Sequence, residues 1–127
     1  MSSSVENIHN QLVELLKNHL GPLRITSDKK EKFEVSGTIP AMQGRQKVDG
    51  FYFASVVPKT KDVRLYFFPI YTHKVEIGEL SENLKKALKG KSCFHIKKID
   101  DEFKSELKNL IDKSIKVYQN HGLLSKD

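Results

Sequence analysis

The sequence predicts an α+β fold: a two-layer sandwich in which a mainly antiparallel sheet carries N-terminal and C-terminal helices. Three observations lead there. Apolar residues recur every three or four positions at both ends of the chain and every second position in the middle. Residues 31–70 hold successive strands with no crossover helix between them, which argues against a parallel doubly wound sheet. The length of 127 residues suits one domain, with a core at about 5–120 and short disordered ends.

The first element is a helix. Val5, Ile8, Leu12, Leu15, Leu16 and Leu20 lie on one stripe, and Asn7, Glu14 and Lys17 face water. Ser3 and Glu6 have the spacing of a capping box, and Gly21-Pro22 stops the helix. A strand follows, with Phe33 and Val35 alternating against Lys32, Glu34 and Ser36. Thr38 to Gly44 reads as a loop, because Pro40 removes a ladder donor. Lys47 to Val57 reads as a second strand, with Phe51, Phe53, Ser55 and Val57 on one face and Tyr52, Ala54 and Val56 on the other. Pro58-Lys59-Thr60-Lys61-Asp62 is a hairpin loop, and Val63 to Ile70 is the antiparallel partner strand. Both faces of this pair carry apolar residues, so the sheet is expected to be covered on both sides or to line a pocket. Leu80, Leu84, Ala87 and Leu88 form a short helix that Ser81 starts and Gly90 ends. Ser92 to Lys98 alternates again as a strand. The last helix is capped by Asp100 or Asp101, buries Phe103, Leu107, Leu110, Ile111, Ser114 and Tyr118, and ends at Gly122.

Composition narrows the function classes. Hydrophobic residues at 38% exclude a disordered chain, and no apolar run is long enough to cross a bilayer, so no membrane partner is expected. The single cysteine, Cys93, cannot make an internal disulfide, and Met1 to Glu6 shows no secretory leader; a cytoplasmic location follows as the expectation. The 22 basic residues outweigh 16 acidic ones, for a net charge of +6, and Lys85, Lys86, Lys89, Lys91, Lys97 and Lys98 crowd one stretch. Such a face attracts nucleic acid or an acidic protein, or it is simply a solvated surface. Only three arginines supply the bidentate fork that reads bases, so nucleic acid is disfavoured as a partner without being ruled out.

Four constellations carry possible chemistry. Tyr52, Arg64, Tyr66 and Phe68 share a strand face, with His73 beyond; an aromatic floor with one guanidinium suits a small anionic or planar ligand, and Pro40 and Met42 would form the rim. The plain alternative is aromatic core with Arg64 at the edge. Asp100, Asp101, Glu102 and Glu106 offer carboxylates to a hard cation such as iron, or cap the helix and answer its dipole. Cys93 and His95 leave the same strand face about 7 Å apart at Cα, as a reactive thiol beside an imidazole or as an inert half-buried cysteine. His9, His19, His73 and His121 show no metal-ligand spacing, and no phosphate-binding glycine loop is present. With no nucleophile–base–orienter set visible, an enzyme is the least supported class.

Three stretches carry a family resemblance: Gly37-Thr38-Ile39-Pro40-Ala41-Met42; the aromatic hairpin Phe51-Tyr52-Phe53-Ala54-Ser55 with Val63-Arg64-Leu65-Tyr66-Phe67-Phe68; and Leu88-Lys89-Gly90-Lys91-Ser92-Cys93-Phe94-His95-Ile96-Lys97-Lys98-Ile99-Asp100. In this order, over residues 5–120, the chain resembles the YdhG-like family, a domain of unknown function grouped with the frataxin/CyaY-like and YjbR-like folds. The resemblance implies a compact cytoplasmic α/β sandwich, and for some members a frataxin-like iron chaperone role. That role rests on an acidic first-helix ridge, whereas the first helix here offers only Glu6 and Glu14. The leading expectation is therefore a non-enzymatic module that binds a small molecule, ahead of iron binding and of an adapter working through the lysine face.

Overall fold

In the computed structural model, which describes residues 2–126 and side chains from residue 5, the N-terminal stripe closes into α1 (Ser2–Lys17). The cap expected of the Ser3 side chain lies outside the described side chains. Ile8, Leu12, Leu15 and Leu16 are buried, but Leu20 is 45% exposed because the helix has already ended before it. The polypeptide then runs through β1 (Leu23–Lys29), β2 (Lys32–Gly37), β3 (Ala41–Gln43), β4 (Gln46–Val48), β5 (Tyr52–Pro58) and β6 (Val63–Phe67). Two single-turn helices follow, α2 (Pro69–Thr72) and α3 (Lys74–Ile77), then α4 (Glu82–Ala87), β7 (Leu88–Lys89), β8 (Cys93–Ile96) and α5 (Asp101–Asn120).

Six strands make one antiparallel sheet in the order β1-β2-β5-β6-β8-β7, and β3 and β4 form a separate hairpin. Helices α1 and α5 cover one face of the six-stranded sheet, α1 against β5 and β6. From α5, the ring of Tyr118 meets Phe53 edge-on, with centroids 5.8 Å apart. The buried side chains form one continuous cluster, with Tyr118, Phe33, Phe53, Phe67 and Phe94 as its largest members. The predicted α+β sandwich is the observed one.

The facing of β5 differs from simple alternation. Phe33 pairs with Val56 and Val35 with Ala54, but Ser36 pairs with Tyr52, so Phe53 is an extra residue in the ladder. This β-bulge resets the parity of the pleat. Phe53, Ala54 and Val56 all turn to the core, while Tyr52 falls on the face of Ser55 and bonds to its hydroxyl at 2.6 Å. The apolar residues that alternation spread over both faces are thereby collected under the helices. One face is covered and the other is open.

Other elements also depart from expectation. Residues 23–29 form an edge strand in which only Leu23 is buried, so no hydrophobic alternation announced it. Thr38 to Gly44 is not all loop, since Ala41–Gln43 pairs with Gln46–Val48 across a tight turn at Gly44. The second predicted strand starts at Tyr52 rather than at Lys47, after a close crossing of the backbone. Gly37 N–H donates to the Phe51 carbonyl at 2.8 Å, and a Cβ on Gly50 would stand 1.9 Å from the Gly37 carbonyl oxygen. Only glycine fits at position 50. Strand β6 stops at Phe67 rather than Ile70, because Pro69 opens α2 and has no N–H for a ladder.

The N-caps at Ser81 and Asp100 hold as predicted. Leu84 N–H donates to the Ser81 hydroxyl, and Phe103 N–H donates to Asp100 Oδ1 at 2.8 Å. Leu124 tucks back into the core behind Gly122. Among the described residues, no helix is long and apolar enough to cross a membrane.

Candidate functional site

The open face of the sheet brings together five of the residues singled out in the sequence. The register sets Arg64 beside His95 and Tyr66 beside both Ser55 and Cys93. Tyr52 joins them through the bulge. Several polar groups here already have partners. Arg64 Nε donates to Asp62 Oδ1 at 3.3 Å, and His95 Nδ1 lies 3.7 Å from the other oxygen of the same buried carboxylate. Glu34 accepts from Thr26 at 2.7 Å and from Ser55 at 3.4 Å, and pairs with Lys32 at 2.9 Å. Burial works against the ionised Glu34, yet Lys32, Thr26 and Ser55 together hold its carboxyl below the usual carboxylate value. Burial pushes the Tyr52 phenol up to about 12, against the opposing effect of its hydrogen bond with Ser55. The face thus carries a polar network centred on Glu34, Ser55 and Asp62, and none of the five main concavities is lined by Tyr52, Arg64 or Tyr66.

Cys93 and His95 do share the outer face of β8, but the imidazole is turned to Asp62. Burial raises the Cys93 thiol above its ordinary pKa, and the nearby Arg64 only partly offsets this. A raised thiol holds less thiolate at neutral pH. Pro40 precedes the β3–β4 hairpin and Met42 is 57% exposed on it. The hairpin reaches the aromatic face through Gln43, whose Oε1 accepts from Tyr52 N–H at 3.1 Å.

The acidic cluster is divided by the helix it opens. Asp100 caps α5, Asp101 and Glu102 are exposed on its first turn, and Glu106 turns to α4, accepting from the Ser81 hydroxyl and from Asn83 at 3.0 Å. Their ligand atoms do not converge as a metal-ligand set. Of the lysine-rich stretch, Lys86, Lys89, Lys97 and Lys98 border a groove of about 480 Å³ that also contains Asp62, His95 and Asp100.

A different concavity forms where β6 ends. Because Pro69 turns the chain out of the sheet, α2 and α3 stand beside β7 and leave a cleft of about 540 Å³ between them. Its floor is apolar: Ile70 and Ile77 are buried there, with Leu80 and Leu88 half-buried. Tyr71, 53% exposed, forms one wall, and Lys91 Nζ sits 5.8 Å from its ring centroid. Gly78 lets the chain turn at the cleft edge with φ +83°, a value that penalises side-chain-bearing residues. Three lysines ring the opening. Lys85 is paired with Glu79 at 2.7 Å, which lowers the Glu79 pKa and raises that of Lys85. Among the described residues Lys74 and Lys91 have no carboxylate partner.

His73 stands apart from the aromatic face, at the joint of α2 and α3. There the fold brings in His121 from the end of α5, with ring centroids 4.5 Å apart, and Glu76 from α3. One ligand atom from each of the three residues lies within 4.8 Å of the others. Burial, and then the neighbouring His121, lower the His73 pKa. The lack of regular spacing among the histidines was a property of the sequence only; 45 residues separate Glu76 from the His121 that bonds it.

In comparisons with known proteins, no family model matches the chain, and neither a curated protein nor a solved structure matches it significantly.

Proposed function

We propose that the chain is a small-molecule-binding module and that its site is the cleft between α2–α3 and β7. The supporting observation is an apolar floor of Ile70, Ile77, Leu80 and Leu88 rimmed by two lysines that lack a counter-charge. A floor of this kind favours an aliphatic or aromatic body, and Lys74 and Lys91 favour an anionic head. Tyr71 offers a ring edge or face to a planar ligand. The ligand class is thus a compact amphipathic anion, and a volume of about 540 Å³ falls in the range of ordinary small-molecule pockets. The sequence pointed to the same chemistry, an aromatic surface with cations, but on the neighbouring sheet face, where Arg64 is already neutralised by Asp62.

The test uses anilinonaphthalene sulfonate, an aromatic anion whose emission rises in an apolar site. The folded protein is expected to enhance its emission saturably, and Leu88→Asp should abolish the effect. The double variant Lys74→Glu with Lys91→Glu, both at exposed positions, should weaken binding by about tenfold or more, as expected for two lost charge contacts of ~1 kcal/mol each. Saturable emission that survives both changes would place the site elsewhere and overturn the reading.

A further inference from the structure

We propose that His73, Glu76 and His121 form a binding site for one divalent first-row transition-metal ion, with zinc as the ion best suited to the donors. This inference is independent of the ligand cleft. Two imidazoles and one carboxylate are a recurrent donor set for such ions, whereas calcium and magnesium take oxygen ligands and copper(I) prefers sulfur. The ligand atoms lie within 4.8 Å of one another. Donors on a common ion with bonds of about 2.1 Å stand roughly 3–3.5 Å apart, so a small rotation of the two exposed side chains closes the set. Glu76 and His121 are held together by a hydrogen bond between Oε1 and Nε2, which keeps both beside His73. An ion would take the place of the proton in that bond, which is released to water.

The second observation lies behind the ligands. His73 Nδ1 contacts the Thr72 hydroxyl at 2.9 Å, and that hydroxyl meets the phenol of the buried Tyr118 at 2.7 Å. This relay fixes the ring and occupies Nδ1 in either tautomer, leaving Nε2 as the nitrogen free to bind. A metal-ligating histidine oriented through its other nitrogen is the usual arrangement, and the orienting group is here anchored in the core. The Tyr118 ring also packs edge-on against His73, with centroids 5.2 Å apart. Three protein ligands leave at least one coordination position to water, so the ion would be exchangeable and open to a further ligand. It would also join α3 to the end of α5.

The experiment is calorimetric titration of the full chain with zinc, paired with cobalt(II) as an absorbing substitute. One ion per chain is expected. His121→Ala and Glu76→Gln, both at exposed positions, should each weaken binding by about tenfold or more, and Thr72→Val by about tenfold through the lost orientation of His73. His19→Ala, whose imidazole pairs with Asp112 and is no member of the cluster, should leave binding unchanged. The cobalt absorption should change with His121→Ala and not with His19→Ala. Metal-free melting temperatures establish that the variants remain folded. Absence of binding, or an affinity indifferent to both His121→Ala and Glu76→Gln, would overturn the assignment.

Discussion

Cys93 and Phe94 are adjacent in β8, yet they belong to two different kinds of surface. Phe94 has no exposed area and packs in the cluster under α1 and α5. Cys93 is half-buried among Tyr66, Arg64 and Tyr52, where contacts are mostly polar. The same division runs along the sheet: Phe33, Val35, Val56, Leu65, Phe67 and Ile96 lie on the covered face, and Glu34, Ser55, Arg64 and His95 on the open one. The covered face excludes water by packing. The open face carries hydrogen bonds and ion pairs among Glu34, Ser55, Tyr52, Asp62, Arg64 and His95. Where the regular sheet gives out, at Pro69, a cleft opens whose apolar floor is not sealed.

The largest effect expected from this difference is on stability. Phe94→Ala should cost ~3–5 kcal/mol, from lost transfer energy together with the cavity left behind. Cys93→Ala on the opposite face should cost less than about 1 kcal/mol. Denaturant unfolding of the two variants measures the contrast. Similar losses would show that the open face carries packing energy comparable to the core.

Within the open face, Asp62 is the residue with most to lose. It is buried, and it faces Arg64 and His95 together. Asp62→Ala removes the acceptor of the Arg64 hydrogen bond and should cost ~1–3 kcal/mol, less than the core substitution. Since Arg64 would then be unpaired, its face should also begin to attract small anions. Unfolding free energy together with anion-dependent melting distinguishes these consequences. No loss in either would show that the network is not structural.

Which parts of this arrangement could be read in the sequence depends on how local their causes are. The stripe of α1, the caps at Ser81 and Asp100, and the loop between β5 and β6 are set by neighbours a few residues apart, and they were legible. Strand β1 was not, because an edge strand with Leu23 as its only buried residue shows no alternation. The bulge at Phe53 was hidden because it depends on the register with β2, and a shift of one residue moved Tyr52 to the other face. The aromatic residues and lysines stand out in the sequence, but the cleft is made by two turns of helix that Pro69 starts where a strand was expected. His73 was singled out for its nearness to the aromatic run. Its meeting with His121 is a product of helix packing, which no spacing rule reports.

A smaller effect than at Asp62 is expected at Tyr52, and its dependence on pH sharpens the contrast between the faces. Tyr52→Phe removes one hydrogen bond to Ser55 and should cost ~0.5–1.5 kcal/mol near pH 7. In the folded protein the phenol titrates at about 12, above the ordinary 10.0, chiefly because burial disfavours the phenolate and also because Glu34 is near. The folded state therefore holds this proton more tightly than the unfolded chain does. Its contribution is fully present below the unfolded value near 10 and is lost as the pH rises through about 12. The phenylalanine variant has no such loss, while the other alkaline transitions are common to both proteins. The stability advantage of the wild type should accordingly shrink from about pH 10 upward and reverse before about pH 12. Unfolding free energies of the two proteins across that range measure it. An unchanging gap would mean that Tyr52 is solvated enough to ionise freely, and that the open face is far wetter than its hydrogen-bond network implies.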